Sequence, residues 1–288
     1  MEDKILDIST IGTADRFCRQ VAAKLKQKSN TWQMPEKKAV SGAYASAVLL
    51  LMGRKWLGTR FSKTPHLILN KRSQRVRQPG DLCCPGGGVE LPWDSYFSRF
   101  IRLSVLPLWR YWPIDRTEAS QTLALLMATG LRESFEEMGL NPLKVRFLGP
   151  LPPQRLIMFN RVIYPMVGWL ESQKNFRLNW EVTSIMTIPI TDLLKKQYYA
   201  RYMLQMADST GRVEGNPVKE FPCFCVQDSN GGERLWGATY RIVTALLQSV
   251  FNFNPPPNTA LPQISGHLSQ DYLTGSTRSY QHGHHENL

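Results

Sequence analysis

The stretch Arg132-Glu133-Ser134-Phe135-Glu136-Glu137-Met138-Gly139-Leu140 constrains this chain more than any other. Its three glutamates stand at i, i+3 and i+4, positions that share one face of a helix. Like charges within one turn repel, so a stable helix tends to avoid them. A divalent cation turns that repulsion into affinity, and hard carboxylate oxygens suit Mg²⁺ or Mn²⁺. Gly139, free to take a positive φ, ends the helix. A solvated acidic face with a glycine stop is the competing reading, and spacing alone does not separate the two.

Composition narrows the partners. The 288 residues suffice for one large domain or two small ones, and 42% hydrophobic content supports a sizeable core. Lysine and arginine total 35 against 23 acids, a formal charge of +12. Such an excess suits an anionic partner. No basic run interleaved with aromatics favours nucleic acid, so none is expected. Five cysteines, including adjacent Cys83-Cys84 and the Cys223/Cys225 pair, make no disulfide framework and lack zinc-type histidine spacing. That usage fits a reducing, cytoplasmic setting. The N-terminus Met1-Glu2-Asp3-Lys4 does not read as a signal peptide, no apolar run reaches spanning length, and Glu286-Asn287-Leu288 is not a peroxisomal address.

Three regions are expected: a helical arm and linker over 1–37, a main domain over 38–250, and a disordered tail over 251–288 rich in proline, serine and glycine. In the arm, Ala14, Phe17, Val21, Ala22 and Leu25 recur at helical spacing. In the main domain, 39–52 reads as a buried strand and 66–70 as a second, with His66 a structural histidine. Residues 145–148, 161–170, 184–190 and 219–226 read as further strands, with a turn at Asn230-Gly231-Gly232. Thr191 is placed to cap a short helix carrying Asp192, and 236–250 forms a closing helix. In the tail, His282, His284 and His285 belong to no dedicated metal site.

The second informative stretch is 71–90, KRSQRVRQPGDLCCPGGGVE. Lys71, Arg72, Arg75 and Arg77 precede a Pro79-Gly80 turn, and Leu82-Cys83-Cys84 leads into Pro85-Gly86-Gly87-Gly88. Glycines admit close backbone approach, and arginine grips phosphate through paired hydrogen bonds. A surface hairpin with a basic face would look the same.

Taken together, Pro85-Gly86-Gly87 and Arg132-Glu133-x-x-Glu136-Glu137-x-Gly139-Leu140 resemble the Nudix box of the Nudix hydrolases. The segment Arg72-Ser73-x-x-x-Arg77-x-x-Gly80-x-x-x-Pro85-Gly86-Gly87 resembles the added signature of their coenzyme A pyrophosphatase branch. Downstream, Gly149-Pro150-Leu151-Pro152-Pro153, Val162 to Gly168, Leu178-Asn179-Trp180-Glu181-Val182 and Arg234 to Thr239 resemble that branch in the same order, with Trp180 where an acid is usual.

The resemblance implies an α/β (α+β) Nudix fold, a mixed β-sheet between α-helices. It implies metal-dependent cleavage of the diphosphate in coenzyme A or an acyl-CoA, giving 3′,5′-ADP and 4′-phosphopantetheine. Glu133, Glu136 and Glu137, with the Gly86 or Gly87 carbonyl, would hold Mg²⁺ or Mn²⁺. Glu133 would be a further ligand or the base that orients water, Glu181 an alternative base, and Arg132 the residue holding the glutamates. Arg72, Arg77 and Gly87 would meet the substrate. Two other readings are a hydrolase of another nucleotide diphosphate, such as a dinucleotide, and a degenerate domain that binds an anion or membrane without turnover.

One departure is large. The standard box has a Gly-x5-Glu segment at fixed spacing ahead of the Arg-Glu pair. That spacing, counted back from Arg132, lands on Ala124, which cannot be a ligand. An insertion over about 91–121 separates the halves, the kind of long connection that is usually functional or flexible. Its aromatics (Trp93, Tyr96, Phe97, Phe100, Trp109, Tyr111 and Trp112) alternate with Arg99, Arg102 and Arg110. Phe97, Phe100, Ile101 and Val105 share a helical face. A membrane surface, a dimer contact, a substrate lid or a satellite core would each suit it. Glu90 is the nearest candidate for the displaced first glutamate.

Overall fold

The computed structural model describes residues 13–29, 31, 35–40, 44–103, 106–156, 161–206, 218–226, 232–268 and 272. Helix α1 (Ala14–Ser29) buries Phe17, Cys18, Val21, Ala22 and Leu25, the stripe its spacing predicts. A short helix α2 (Lys37–Val40) follows. The strand expected over 39–52 therefore starts later: Ala39 and Val40 are helical, and β1 is Ala45–Trp56.

β1 explains the sandwich. Its run Ala47 to Met52 is buried on both faces, as a central strand requires. Leu49 and Leu51 join one core, Leu50 and Met52 the other. β2 (Phe61–Arg72) pairs antiparallel with β1, and β3 (Leu82–Cys83) pairs with the end of β2. β4 (Gly86–Gly88) lies antiparallel on the start of β1.

The insertion forms helix α3 (Leu91–Ile101) and a 3-10 turn at Pro107–Trp109. The shared face expected there holds only in part. Ile101 is buried and Phe97 half-buried, Phe100 is exposed, and Val105 lies outside the described residues. Trp109 takes the inner place instead: its Nε1–H donates to the Ile101 carbonyl at 2.6 Å, and its ring meets Phe147 edge-on.

Helix α4 (Glu118–Met138) starts at Thr117, whose hydroxyl accepts from Ser120 N–H at 3.3 Å. It ends at Gly139, which has φ 64° and donates its N–H to Phe135 O at 2.9 Å. The apolar run Leu123 to Ala128 packs under β1, and the polar end at 132–137 follows it, with Ser134 and Glu137 buried and Phe135 and Glu136 exposed.

β5 (Val145–Pro150), β6 (Gln154–Leu156) and β7 (Arg161–Leu170) extend the sheet, with β7 parallel to β1. β8 (Val182–Pro189) pairs on the other side of β2. The first sheet thus runs β3-β2-β1-β7-β5, with β4, β6 and β8 attached to its inner strands. Helix α5 (Ile190–Leu193) follows Pro189 and has no side-chain cap. Thr191 is its second residue and not its cap, since Pro189 already sets the extended backbone that precedes it.

β9 (Tyr199–Met206), β10 (Val218–Val226) and β11 (Glu233–Leu235) build a second sheet, and helix α6 (Gly237–Phe251) closes the core beside α1. The turn at 230–231 lies outside the described residues, as do the tail histidines.

The expected disorder after 251 does not hold for 252–268. There β12 (Gln263–Leu268) pairs parallel with β9. Ile264 and Leu268 pack on the second sheet's core, and Gly266 leaves the space that the Tyr202 ring fills. The molecule is a mixed α+β fold, with helices on both faces of a mixed sheet.

Candidate active site at the split box

The glycines come first, because they set how closely β4 lies on its neighbours. Gly86 has φ 148°, and a Cβ there would fall 2.4 Å from the Ala47 carbonyl. A Cβ on Gly87 would fall 2.3 Å from Glu133 Oε1. Only bare backbone lets the Glu133 carboxylate lie against this strand. The Gly88 carbonyl accepts from Arg132 Nη2 at 3.2 Å.

Arg132 is the hub. Its Nε donates to Asp94 Oδ1 at 2.8 Å, its Nη2 lies 3.1 Å from Glu133 Oε1, and its Nη1 lies 3.3 Å from Glu136 Oε2. Asp94 is 0% exposed and is also bound by Thr129 Oγ1 at 2.8 Å and the Glu90 N–H at 2.7 Å. Sequence reasoning missed it. Counted forward from Gly88, the Gly-x5-Glu spacing reaches Asp94, inside helix α3. Glu90 is the exposed residue preceding α3, and its charge reaches Glu133.

Glu137 is 8% exposed, and Asn70 Nδ2 donates to its Oε2 at 2.7 Å. Asn70 is itself buried, and its Oδ1 has no partner among the described residues. An asparagine ending the apolar run His66-Leu67-Ile68-Leu69 was the available signal for this second missed residue.

Burial pushes the Glu137 carboxyl up to about 8, with the charges of Glu133 and Glu181 adding to it, against Arg72 and Asn70. Burial likewise lifts Glu133 to about 7; Arg132 opposes the rise and Glu136 adds to it. Glu136 is the solvent-facing member of the three.

The basic segment approaches from the sheet side. Arg72 Nε donates to the Arg77 carbonyl at 2.7 Å, which ties its head to its own turn, yet its charge still reaches Glu137. Arg77 is exposed. The Ser73 N–H donates to Glu181 O at 2.8 Å, Glu181 N–H to Asn179 Oδ1 at 2.9 Å, and Asn179 N–H to Glu137 O at 3.0 Å. The 179–181 loop therefore clasps the end of α4 to the basic turn. The structure brings Arg132, Glu133, Glu136, Glu137 and Gly87 together, with Gly86 one residue away and Arg72 and Glu181 in electrostatic range of Glu137.

For a divalent cation the donor chemistry fits. Three carboxylates crowd one helix turn, and burial together with mutual repulsion works against ionisation of two of them. Among the described residues no three acid, imidazole or thiol groups are already converged on one point. The Arg132 guanidinium, between Glu133 and Glu136, supplies the positive charge there.

No protein-family model matches the chain. Among curated proteins, an uncharacterized Nudix hydrolase of Enterobacter sp. (strain 638) is 27% identical over 151 residues, 52% of this chain and 62% of that protein. Nudix hydrolase 3 of Caenorhabditis elegans is 28% identical over 186 residues, 59% of this chain and 61% of that protein. A peroxisomal coenzyme A diphosphatase of Mus musculus is 27% identical over 146 residues, 50% of this chain and 48% of that protein. The chain thus spans 48% to 62% of the length of these relatives. Over about half of its length, the chain is similar in sequence to Nudix hydrolases.

Proposed function

We propose that this chain is a metal-dependent hydrolase of a nucleoside diphosphate linked to a second group, with coenzyme A or an acyl-CoA as the substrate. One observation carries the reading most: Arg132 joins Asp94, Glu133, Glu136 and the Gly88 carbonyl into one constellation although the sequence separates its halves. Glu136 and Glu137 are the first-choice metal ligands, Glu133 a further ligand or the base that orients water, and Glu181 an alternative base. The Gly86 carbonyl would complete the shell. A bound Mg²⁺ or Mn²⁺ would neutralise phosphate oxygens and lower the pKa of bound water.

Arg132 holds the glutamate rotamers, and Arg72 and Arg77 offer phosphate contacts beside Gly87. The coenzyme A assignment draws on the basic-segment resemblance and on the mouse relative's printed activity.

The test is incubation of the protein with coenzyme A and Mn²⁺ or Mg²⁺, followed by detection of 3′,5′-ADP. The expected result is product that vanishes with chelator and falls at least about 10²-fold in Glu137→Gln, with the fold intact by circular dichroism. Full activity in that variant would refute the assignment. Turnover of another nucleotide diphosphate but not coenzyme A would keep the reaction and change the substrate.

A second reading, binding without turnover, is favoured by the ion pairs that engage Glu133 and Glu136. Calorimetric binding of coenzyme A with no product would establish it.

A further inference from the structure

Helix α3 has two unlike sides. The inner side carries Asp94 and Ile101, both buried, and Asp94 grips Arg132 and Thr129. The outer side carries Trp93, Tyr96 and Phe100, spaced by three and four residues and so aligned on one face, and exposed Leu103 follows just past the helix end. These large apolar groups are exposed: Trp93 70%, Tyr96 69% and Phe100 51%. An aligned row of this kind costs solubility and marks a contact surface.

Charge identifies what covers it. Between 91 and 103 the only acid is Asp94, which is turned inward, and the other charged residues are Arg99 and Arg102. Arg102 donates to the Asp115 carbonyl at 3.4 Å, whereas Arg99 is exposed. Apolar and aromatic side chains with Arg99 at the flank match an interfacial helix, rings at headgroup level and guanidinium on phosphate. A second copy of this chain is disfavoured, because the face would meet its own arginines and each copy carries a formal +12. No helix among the described residues is long and apolar enough to cross a membrane, so the contact would be peripheral.

We propose that the outer face of α3 docks on an anionic lipid bilayer, with Trp93, Tyr96, Phe100 and Leu103 entering the interface and Arg99 meeting lipid phosphate. The same helix holds Arg132 from its inner side, so docking would place the carboxylate site at a fixed height above the membrane.

The experiment is co-sedimentation of the full chain with phosphatidylcholine vesicles, with and without phosphatidylserine. Binding is expected only to the anionic vesicles. The double variant Trp93→Ser, Phe100→Ser keeps the net charge and removes only exposed side chains, so its melting temperature should match the parent. Its vesicle partitioning should fall by at least about tenfold. Three results would overturn the proposal: no binding by the parent chain, equal binding by the variant (attraction by net charge alone), or a concentration-dependent dimer that the double variant dissolves.

Discussion

Gly86 and Gly87 are adjacent, but their missing side chains serve different ends. At Gly86 the clash is with backbone, the Ala47 carbonyl, and φ is 148°. Gly86→Ala should therefore destabilise the fold by about 2–3 kcal/mol, read as a lower urea midpoint. At Gly87 the obstacle is the tip of Glu133, which can rotate away. Gly87→Ala should cost about 1 kcal/mol or less, yet lower hydrolysis by about tenfold or more because Glu133 is displaced. Equal loss of stability in both variants would contradict this division. The glycines, the Arg-Glu-Glu-Glu helix and the basic segment were all legible in the sequence, since each is a local pattern. Asn70 was marked only as a polar residue ending an apolar run, because its partner lies 67 positions away.

Among the elements, α3 and α4 share the box, and their joint is the Asp94–Arg132 pair. Asp94→Asn leaves a largely buried guanidinium without its carboxylate, and about 3 kcal/mol of stability should be lost. Denaturant unfolding measures it directly, and an unchanged midpoint would mean that Glu133 and Glu136 compensate. The insertion hid this element from sequence reasoning: spacing counted from one end only assumed a continuous helix.

The joint between β3 and the C-terminal residues behaves differently with pH. Asp81 accepts from Trp236 Nε1 at 3.1 Å and from the Tyr272 hydroxyl, and burial raises its carboxyl to about 6. The folded form then holds a proton that the unfolded chain releases near 3.8, so Asp81's contribution falls as pH rises from about 4 to 6. Asp81→Asn should flatten that slope in unfolding measurements across this range; a slope equal to the parent's would assign it elsewhere.

At the scale of the whole molecule, helices lie on both faces of the first sheet, and α1 supplies part of one core. Phe17, Val21 and Leu25 are fully buried beside Leu148 and Trp169. Removing residues 1–30 would forfeit on the order of 5 kcal/mol from these three alone, comparable with a domain's entire stability. The shortened chain should lack a cooperative thermal transition, and a sharp one would show α1 to be dispensable.

Periodicity made α1 legible in advance and a continuous apolar run made most of β1 legible, because burial writes itself into sequence. The strand at 263–268 escaped, since its polar composition resembles a tail and its place depends on an edge that β9 offers. The Asp94–Arg132 pair spans 38 positions of chain without any covalent need for the segment between. Two separately made fragments, cut between residues 102 and 117, would each carry half of one box, so that catalytic competence would become a reporter of their reassembly.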